Sequence, residues 1–355
     1  MRWLDMNRMF FREHARPVLA AEFPREFKRC ACLADGMGSD VLGLEDKLSY
    51  DHHVNPRLFV LLMPADYRRI GRRMERVLLA EFARRLPETA WESSHHFGHG
   101  VVVETPARHL RRFLDFPHPP RTPREWLACF EQDLMHLTNG EVYHDPRDLI
   151  TSTRKAMRYF PRGVWKKKIA DYCMQYTLAA NFNLNRCVLR GDPVGAQVLR
   201  GFGLRRAMEL AFMLNRRYAL YDKWTWRIFQ RLPHLAKELA PVLERIAASN
   251  DWEAIMRGFT RGTDLILREL RRQKLTREIK SYTPKAVHGY KLPYVAAWDL
   301  LNTLPKALGT LEVVQHYKHS KLNDLFMYAL TRNQMLDHVH APKQTWGRDV
   351  KPRDK

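Results

Sequence analysis

The sequence predicts an α+β protein in which a small mixed sheet with flanking helices is followed by an all-α bundle. Two observations predict this arrangement. Three short apolar runs, at residues 30–34, 58–63 and 101–103, have the length and the aliphatic character of strands. From Trp126 onward the apolar residues instead recur at helical spacing almost throughout. We therefore expect two folded regions of different class in one chain.

Chain length and proline distribution give the expected domain boundaries. With 355 residues, 45% of them hydrophobic, the chain is long enough to fill two cores. Prolines cluster at residues 117–123, where the two patterns meet. We expect a first domain at 1–123, a helical domain at 124–341, and a basic, disordered tail at 342–355.

Within the first domain, each predicted element follows from its local pattern. Residues 6–21 place apolar side chains at helical spacing among arginines, and Pro24 ends that pattern. The run at 30–34 leads into residues 35–39, whose composition is typical of a strand entering a tight turn. The continuous apolar run LFVLLM at 58–63 predicts a strand covered on both faces, and residues 65–85 predict an amphipathic helix. Further on, the clearest predicted helices span 204–218, 236–248 and 252–275.

A strong positive charge indicates the kind of partner that the protein binds. Sixty Lys and Arg against thirty-nine Asp and Glu give a formal net charge of +21. This exceeds what solubility requires and predicts a polyanionic partner. A nucleoside triphosphate, a nucleic acid and an acidic protein all stay open as that partner, because the attraction depends on charge and not on identity.

The cysteine pattern and the hydropathy indicate the cellular compartment. Five cysteines without paired spacing favour reduced thiols and give no zinc motif. The N-terminal stretch carries Asp5, Glu13 and several arginines where a signal peptide needs an apolar core. No run of eighteen uncharged apolar residues occurs in the sequence. We expect a cytoplasmic protein that does not bind a membrane.

The segment from Gly36 to Met63 carries the residues expected to do chemistry. Gly38 and Ser39 follow the first strand, eleven residues intervene, and Asp51 then precedes the second strand. A Gly-Ser turn lets backbone N–H groups and a hydroxyl approach phosphates closely, because glycine has no Cβ. Two carboxylates at positions i and i+2 of a strand point to one face and together bind Mg²⁺. The spacing resembles the nucleotidyltransferase superfamily signature, in which a Gly-Ser turn precedes a strand with two such acids.

The wider sequence resembles an uncharacterised family, known only as a domain of unknown function, that is nucleotidyltransferase-like and related to kanamycin- and streptomycin-type aminoglycoside nucleotidyltransferases. The resemblance covers nearly the whole chain. Its blocks are GMGSDVLGLEDKLSYDHHVNPR at 36–57, GEVYHD at 140–145, YFPRGVW at 159–165, RGDPVG at 190–195, AFMLNRRYALYDKW at 211–224 and LGTLEVVQ at 308–315. It implies metal-dependent transfer of a nucleoside monophosphate from a nucleoside triphosphate to an unidentified acceptor.

One position departs from the family pattern. Where the family has Asp-His-Asp, this chain has Asp51, His52 and His53. The resemblance places Asp51 and His53 at the catalytic and metal-ligand positions. Mg²⁺ or Mn²⁺ is the implied metal, but imidazole suits a transition metal better, so His53 leaves that alternative open. It also leaves open a catalytically degenerate protein that binds a nucleotide, a nucleic acid or a partner protein without turnover.

A third metal ligand is sought among the remaining acids. Glu104, at the end of the third strand, is in a position to supply a carboxylate from a neighbouring strand. Its alternative is a strand-end residue that faces solvent. Both interpretations of Glu104 stay open.

The resemblance also implies a set of phosphate-binding residues. Gly38 and Ser39 hold phosphates, and Arg57 offsets their charge. Tyr221 and Lys223 belong to the block YALYDKW, and Lys223 resembles the lysine with which related transferases reach the triphosphate. The alternative for Lys223 is a lysine whose stem lies along a helix that merely packs.

Overall fold

The computed structural model describes residues 3–36, 38–44, 46, 57–85, 100–114 and 116–275. These residues form two compact units, each discontinuous in sequence. Unit 1 contains the described residues of 1–121, 129–160 and 216–228, and unit 2 contains those of 122–128, 161–215 and 229–275. The predicted α+β class is confirmed. The boundaries predicted at 123 and 341 stay predictions, and unit 1 takes two stretches from beyond residue 123.

The helices and strands follow one another along the chain in this order: α1 Trp3–Phe10, a π-helical segment Phe11–Ala15, α2 Arg16–Glu22, α3 Pro24–Phe27, β1 Ala31–Ala34, β2 Arg57–Leu61, α4 Pro64–Arg85, β3 Gly100–Glu104, α5 Pro106–Leu114, α6 Pro123–Ala128, α7 Glu131–Thr138, β4 Glu141–His144, α8 Thr151–Ala156, α9 Arg162–Tyr176, a second π-helical segment Thr177–Asn183, α10 Leu184–Leu189, α11 Pro193–Leu214, α12 Asp222–Phe229, α13 Ala236–Ala248 and α14 Trp252–Arg272.

The described strands of unit 1 form one mixed sheet in the order β3-β2-β1-β4. β1 pairs antiparallel with both of its neighbours, and Cys32 lies opposite Val60 of β2. β2 pairs parallel with β3, with Leu58 opposite Val101. Every residue of the two central strands is buried, which explains why their sequences are almost continuously apolar. The strands predicted at 30–34, 58–63 and 101–103 are thus confirmed.

β4 is a strand that the hydropathy pattern did not predict. Its sequence EVYH is half-buried at the edge of the sheet and lies in a stretch expected to be helical. Gly140 precedes it with φ +70°, and a Cβ at this position would overlap the carbonyl oxygen of Ala34. Glycine is therefore required for β4 to approach the end of β1 this closely.

The core of unit 1 lies between the sheet and two amphipathic helical segments. Helical residues run from Trp3 to Glu22 through the π-helical segment, and contribute Phe10 and Leu19 to the core. α4 contributes Met74 and Leu78, which are fully buried. The helices predicted at 6–21 and 65–85 are confirmed.

Unit 2 is helical throughout its described residues. A Cβ on Gly203 of α11 would lie 2.8 Å from the ring of Phe259 on α14, so glycine permits close packing of these helices. Trp165 Nε1 donates to the carbonyl oxygen of Met213 over 2.9 Å and ties α9 to α11. The predicted helices at 236–248 and 252–275 correspond to α13 and α14. None of the helices in the described ranges has the length and apolar composition needed to cross a bilayer.

Candidate functional site

The turn after β1 adopts a backbone conformation that requires glycine. Gly36 has φ +108° and Gly38 has φ +133°, values that residues with a Cβ rarely adopt. A Cβ on Gly38 would also overlap the carboxylate of Asp40. Gly36 N–H donates to the carbonyl oxygen of His136 over 3.0 Å, which fixes the first half of the turn. Gly38 and Ser39 are half-buried, so the turn reaches the surface of unit 1.

Arg57, the first residue of β2, spans the inner side of this turn. Its side chain is 2% exposed. Nη2 contacts Asp40 Oδ2 at 2.7 Å, and Nη1 donates to the carbonyl oxygen of Asp35 over 3.2 Å. Burial raises the pKa of Asp40, and the neighbouring Arg57 opposes that rise. Arg57 therefore holds both ends of the turn, and its predicted role toward phosphate stays a prediction.

Two aromatic residues from far along the chain contact the turn within unit 1. Trp224 Nε1 donates to Ser39 Oγ over 2.9 Å, and Tyr221 Oη lies 3.0 Å from the same oxygen. Lys223 is exposed, and its Nζ lies 6.0 Å from the ring centres of both Tyr221 and Trp224. The structure thus brings together the five residues predicted from sequence to bind a nucleotide: Gly38, Ser39, Arg57, Tyr221 and Lys223.

A chain of buried charged groups lies directly behind the turn. His109 of α5 is fully buried, with Nε2 2.9 Å from Asp35 Oδ2 and Nδ1 3.0 Å from Glu104 Oε1. Arg112 donates to the other oxygen of Glu104 over 3.0 Å. Burial alone would lower the pKa of His109, but the two carboxylates raise it to about 9, so the imidazole is protonated at neutral pH. An imidazolium between two carboxylates links α5 to the ends of β1 and β3.

Other polar atoms near the turn have no hydrogen-bond partner among the described residues. Asp35 Oδ1 and both ring nitrogens of His136 are buried and make no hydrogen bond to any residue that the structure describes. Burial lowers the pKa of His136 to about 4, and Arg57 adds to this effect, so His136 is neutral at pH 7. Buried polar atoms of this kind normally bind water or a ligand.

Of the three predicted metal ligands, the structure describes Glu104 but not Asp51 or His53. Glu104 is 3% exposed, so it does not face solvent, and both of its oxygens already accept hydrogen bonds from cationic side chains. Burial would raise its pKa, but His109 and Arg112 lower it. Such a carboxylate does not fit a metal ligand, and the described ranges contain no cluster of three His, Cys, Asp or Glu side chains able to hold a metal ion. Asp51 and His53 lie outside the described residues.

Sequence reasoning did not single out several of the residues that build this site. Asp35 and Asp40 flank the Gly-Ser turn, and the signal for them was their position at the end of an apolar strand. His109 is one of sixteen histidines, and its separation of five residues from Glu104 crosses a strand-to-helix junction. Because Glu104 ends a strand and His109 lies in the following helix, neither a strand period nor a helical period predicts that the two side chains meet.

Comparison with known proteins gives a partial match. Residues 126–225 match a family model described as a domain of unknown function (DUF4037), and this range includes β4, Tyr221 and Lys223. A search of curated proteins finds no significant match. Among solved structures, a nucleotidyltransferase-like protein from Exiguobacterium sibiricum 255-15 aligns over 86% of this chain and 91% of its own, at 12% identity and a TM-score of 0.37. Over residues 126–225 the chain is therefore similar to a family of unknown function, as its sequence motifs predicted.

Proposed function

We propose that the protein binds a nucleoside triphosphate at the turn formed by residues 36–39 and transfers its nucleoside monophosphate to an acceptor. The observation that carries this proposal is the convergence of Gly38, Ser39, Tyr221 and Lys223 in unit 1. Glycines with positive φ give this turn a backbone conformation typical of turns whose N–H groups bind phosphate oxygens. Lys223 adds an exposed ammonium group next to the aromatic pair, which suits a polyanion.

The hydrogen bonds of Ser39 define what its hydroxyl offers a ligand. Trp224 Nε1 is only a donor, so it occupies one acceptor position of Ser39 Oγ. When Tyr221 Oη donates to the second acceptor position, the hydroxyl hydrogen of Ser39 is directed away from both rings. That hydrogen then serves a phosphate oxygen. Tyr221 and Trp224 are thus proposed to orient Ser39 rather than to contact the base.

Asp51 and His53 are proposed to hold the divalent metal. Mg²⁺ and Mn²⁺ are the first choices for a triphosphate, and His53 adds a transition metal as an alternative. A metal at this position supplies charge neutralisation for the phosphates. Glu104 is left out of the proposed ligand set, because His109 and Arg112 occupy its oxygens.

Binding is tested by thermal shift with ATP, GTP, CTP and UTP, each combined with Mg²⁺, Mn²⁺ or Zn²⁺. We expect at least one combination to raise Tm, since a ligand at a hundred times its Kd stabilises by about 2.7 kcal/mol. Asp51→Ala is expected to abolish the metal-dependent part of the shift, and Lys223→Gln to weaken it. Lys237→Gln is the matched control, because Lys237 is exposed on α13 of unit 2. A shift that survives Asp51→Ala unchanged contradicts the metal assignment.

A degenerate protein that binds a nucleotide without turnover is the second candidate. The observation that favours it is the saturation of Glu104 by His109 and Arg112, together with His53 in place of an acid. Restoring the carboxylate with His53→Asp distinguishes the two functions. If the natural protein is degenerate, the variant gains Mg²⁺-dependent hydrolysis of the bound triphosphate, in which water takes the nucleoside monophosphate and pyrophosphate leaves. If the natural protein is active, its own turnover is measurable before any substitution.

A further inference from the structure

Helix α4 presents a row of arginines on its outer side. Arg68, Arg72 and Arg76 recur every four residues and are all exposed. Residues four apart are neighbours along one side of a helix, so the three guanidinium groups follow one line. None of the three has a hydrogen bond or an ion pair with any residue in the part of the chain that the structure describes.

The acids of α4 form no ion pair with this row in the described structure, and each makes its hydrogen bonds to other groups. The engaged pairs are Asp66 with Arg29 and Arg69, Glu75 with the amide of Val103, and Glu81 with Arg84. Arg73, the remaining arginine in the middle of the helix, pairs with Glu22 at 3.0 Å. Asp66, Glu81 and Arg73 are thus paired with opposite charges, whereas the row of three arginines has no acidic partner among the described residues.

We propose that Arg68, Arg72 and Arg76 bind the phosphodiester backbone of a nucleic acid. The row extends over eight residues, or about 12 Å of helix. One strand of a duplex carries a phosphate about every 3.4 Å along its axis, so three to four phosphates face a row of about this length. The planar guanidinium group donates two parallel hydrogen bonds to phosphate, which suits arginine more than lysine to this task.

Features beside the row favour a nucleic acid over an acidic protein. Arg108 of α5 lies over the ring of Tyr67 at 5.4 Å and donates to its hydroxyl over 2.5 Å. A further cation therefore contacts α4 at the residue that precedes Arg68. A regular row of single charges matches the uniform charge of a nucleic-acid strand, whereas carboxylates in proteins are irregularly spaced. The net charge of +21 adds long-range attraction to such a strand.

Fluorescence polarisation of labelled 20-mers tests this surface on the full chain. Single-stranded RNA, DNA of the same sequence and duplex DNA are titrated between 50 and 200 mM KCl. The triple variant Arg68→Gln, Arg72→Gln and Arg76→Gln is compared with Arg147→Gln, Lys155→Gln and Arg158→Gln. The second set makes the same charge change at exposed sites of unit 1 that are not in a row. Glutamine preserves helix propensity on α4.

We expect the α4 variant to lower affinity by about tenfold or more and to reduce the slope of log K against log salt by about two for a single strand and three for a duplex. The control variant should change the affinity and the salt slope much less. Circular dichroism should show that both triple variants are folded. A higher affinity for RNA or for DNA identifies which nucleic acid supplies the phosphodiester backbone. The proposal is overturned if the two triple variants lose the same nucleic-acid affinity. It is also overturned if the α4 variant loses as much affinity for polyglutamate as for nucleic acid. The nucleotide thermal shift is unchanged in the α4 variant, so the two proposals fail independently.

Discussion

Replacing His109 with alanine is expected to lower the free energy of unfolding by about 3 to 5 kcal/mol, because it removes the only cationic group bonded to the Asp35 carboxylate in the described chain and one of two bonded to Glu104. Both carboxylates are almost fully buried, so neither can recover its lost hydrogen bond from bulk water. Urea unfolding followed by circular dichroism measures the loss. His234→Ala is the control, since His234 is exposed, and its effect should stay within about 0.5 kcal/mol. Equal losses in the two variants would show that the buried chain does not stabilise the fold.

The same residue makes stability depend on pH in a defined direction. The pKa of His109 is about 9 in the folded protein and 6.5 ordinarily, so the folded state binds this proton more tightly than the unfolded chain. The resulting stabilisation is complete below about pH 6.5 and is lost as pH rises through 9. Its size is about 3 kcal/mol, from about 1.4 kcal/mol per pKa unit. His109→Gln should show a smaller loss between pH 6.5 and 9.5, and an identical loss would contradict the assignment.

Gly140→Ala is the second change with a large expected effect, a loss of about 3 kcal/mol or more. The added Cβ would overlap a backbone carbonyl, that of Ala34, which no side-chain rotation can relieve. β4 must then move away from β1 and weaken the ladder between them. A Cβ here would also lie 3.2 Å from the Cα of Asp35, so the shift reaches the turn.

Gly191 provides a matched control for this substitution. Its φ is +67°, almost equal to the +70° of Gly140, but a Cβ there would meet nothing within 4 Å. Gly191→Ala therefore carries only the backbone strain of about 1 to 2 kcal/mol. The difference between the two alanine variants in urea unfolding isolates the overlap with Ala34. If both variants lose the same stability, the close approach of β4 to β1 is wrong.

Hydropathy was sufficient for the elements that bury a continuous apolar surface. The bounds of β1, β2, α4, α13 and α14 were predicted within a few residues. Burial gives each of these strands a continuous apolar run and each of these helices a helical period of apolar residues. β4 was missed because a half-buried edge strand needs no such period, and Gly140 and Glu141 give it a polar beginning. Its place is decided by pairing with β1, which is a contact between distant segments.

In the candidate site, too, the sequence predicted residues with a local pattern and missed those placed by long-range contacts. Gly38 and Ser39 could be found from sequence, because a turn between a strand and a polar loop leaves a local signature. The contacts of Tyr221 with Ser39 and of His109 with Asp35 join residues 182 and 74 positions apart. Only a resemblance indicated Tyr221, and nothing in the sequence marked His109.

The hydrogen bond between Trp224 and Ser39 spans 185 positions of the chain, and it has a consequence for synthesis. A ribosome adding about 5 to 20 residues per second needs roughly 10 to 40 s to travel from one of these codons to the other. During that interval the Gly-Ser turn has been synthesised, while Trp224 has not yet been added. The contacts of Ser39 with Tyr221 and Trp224 are thus formed late, and a chain interrupted before residue 221 carries the turn without either aromatic partner.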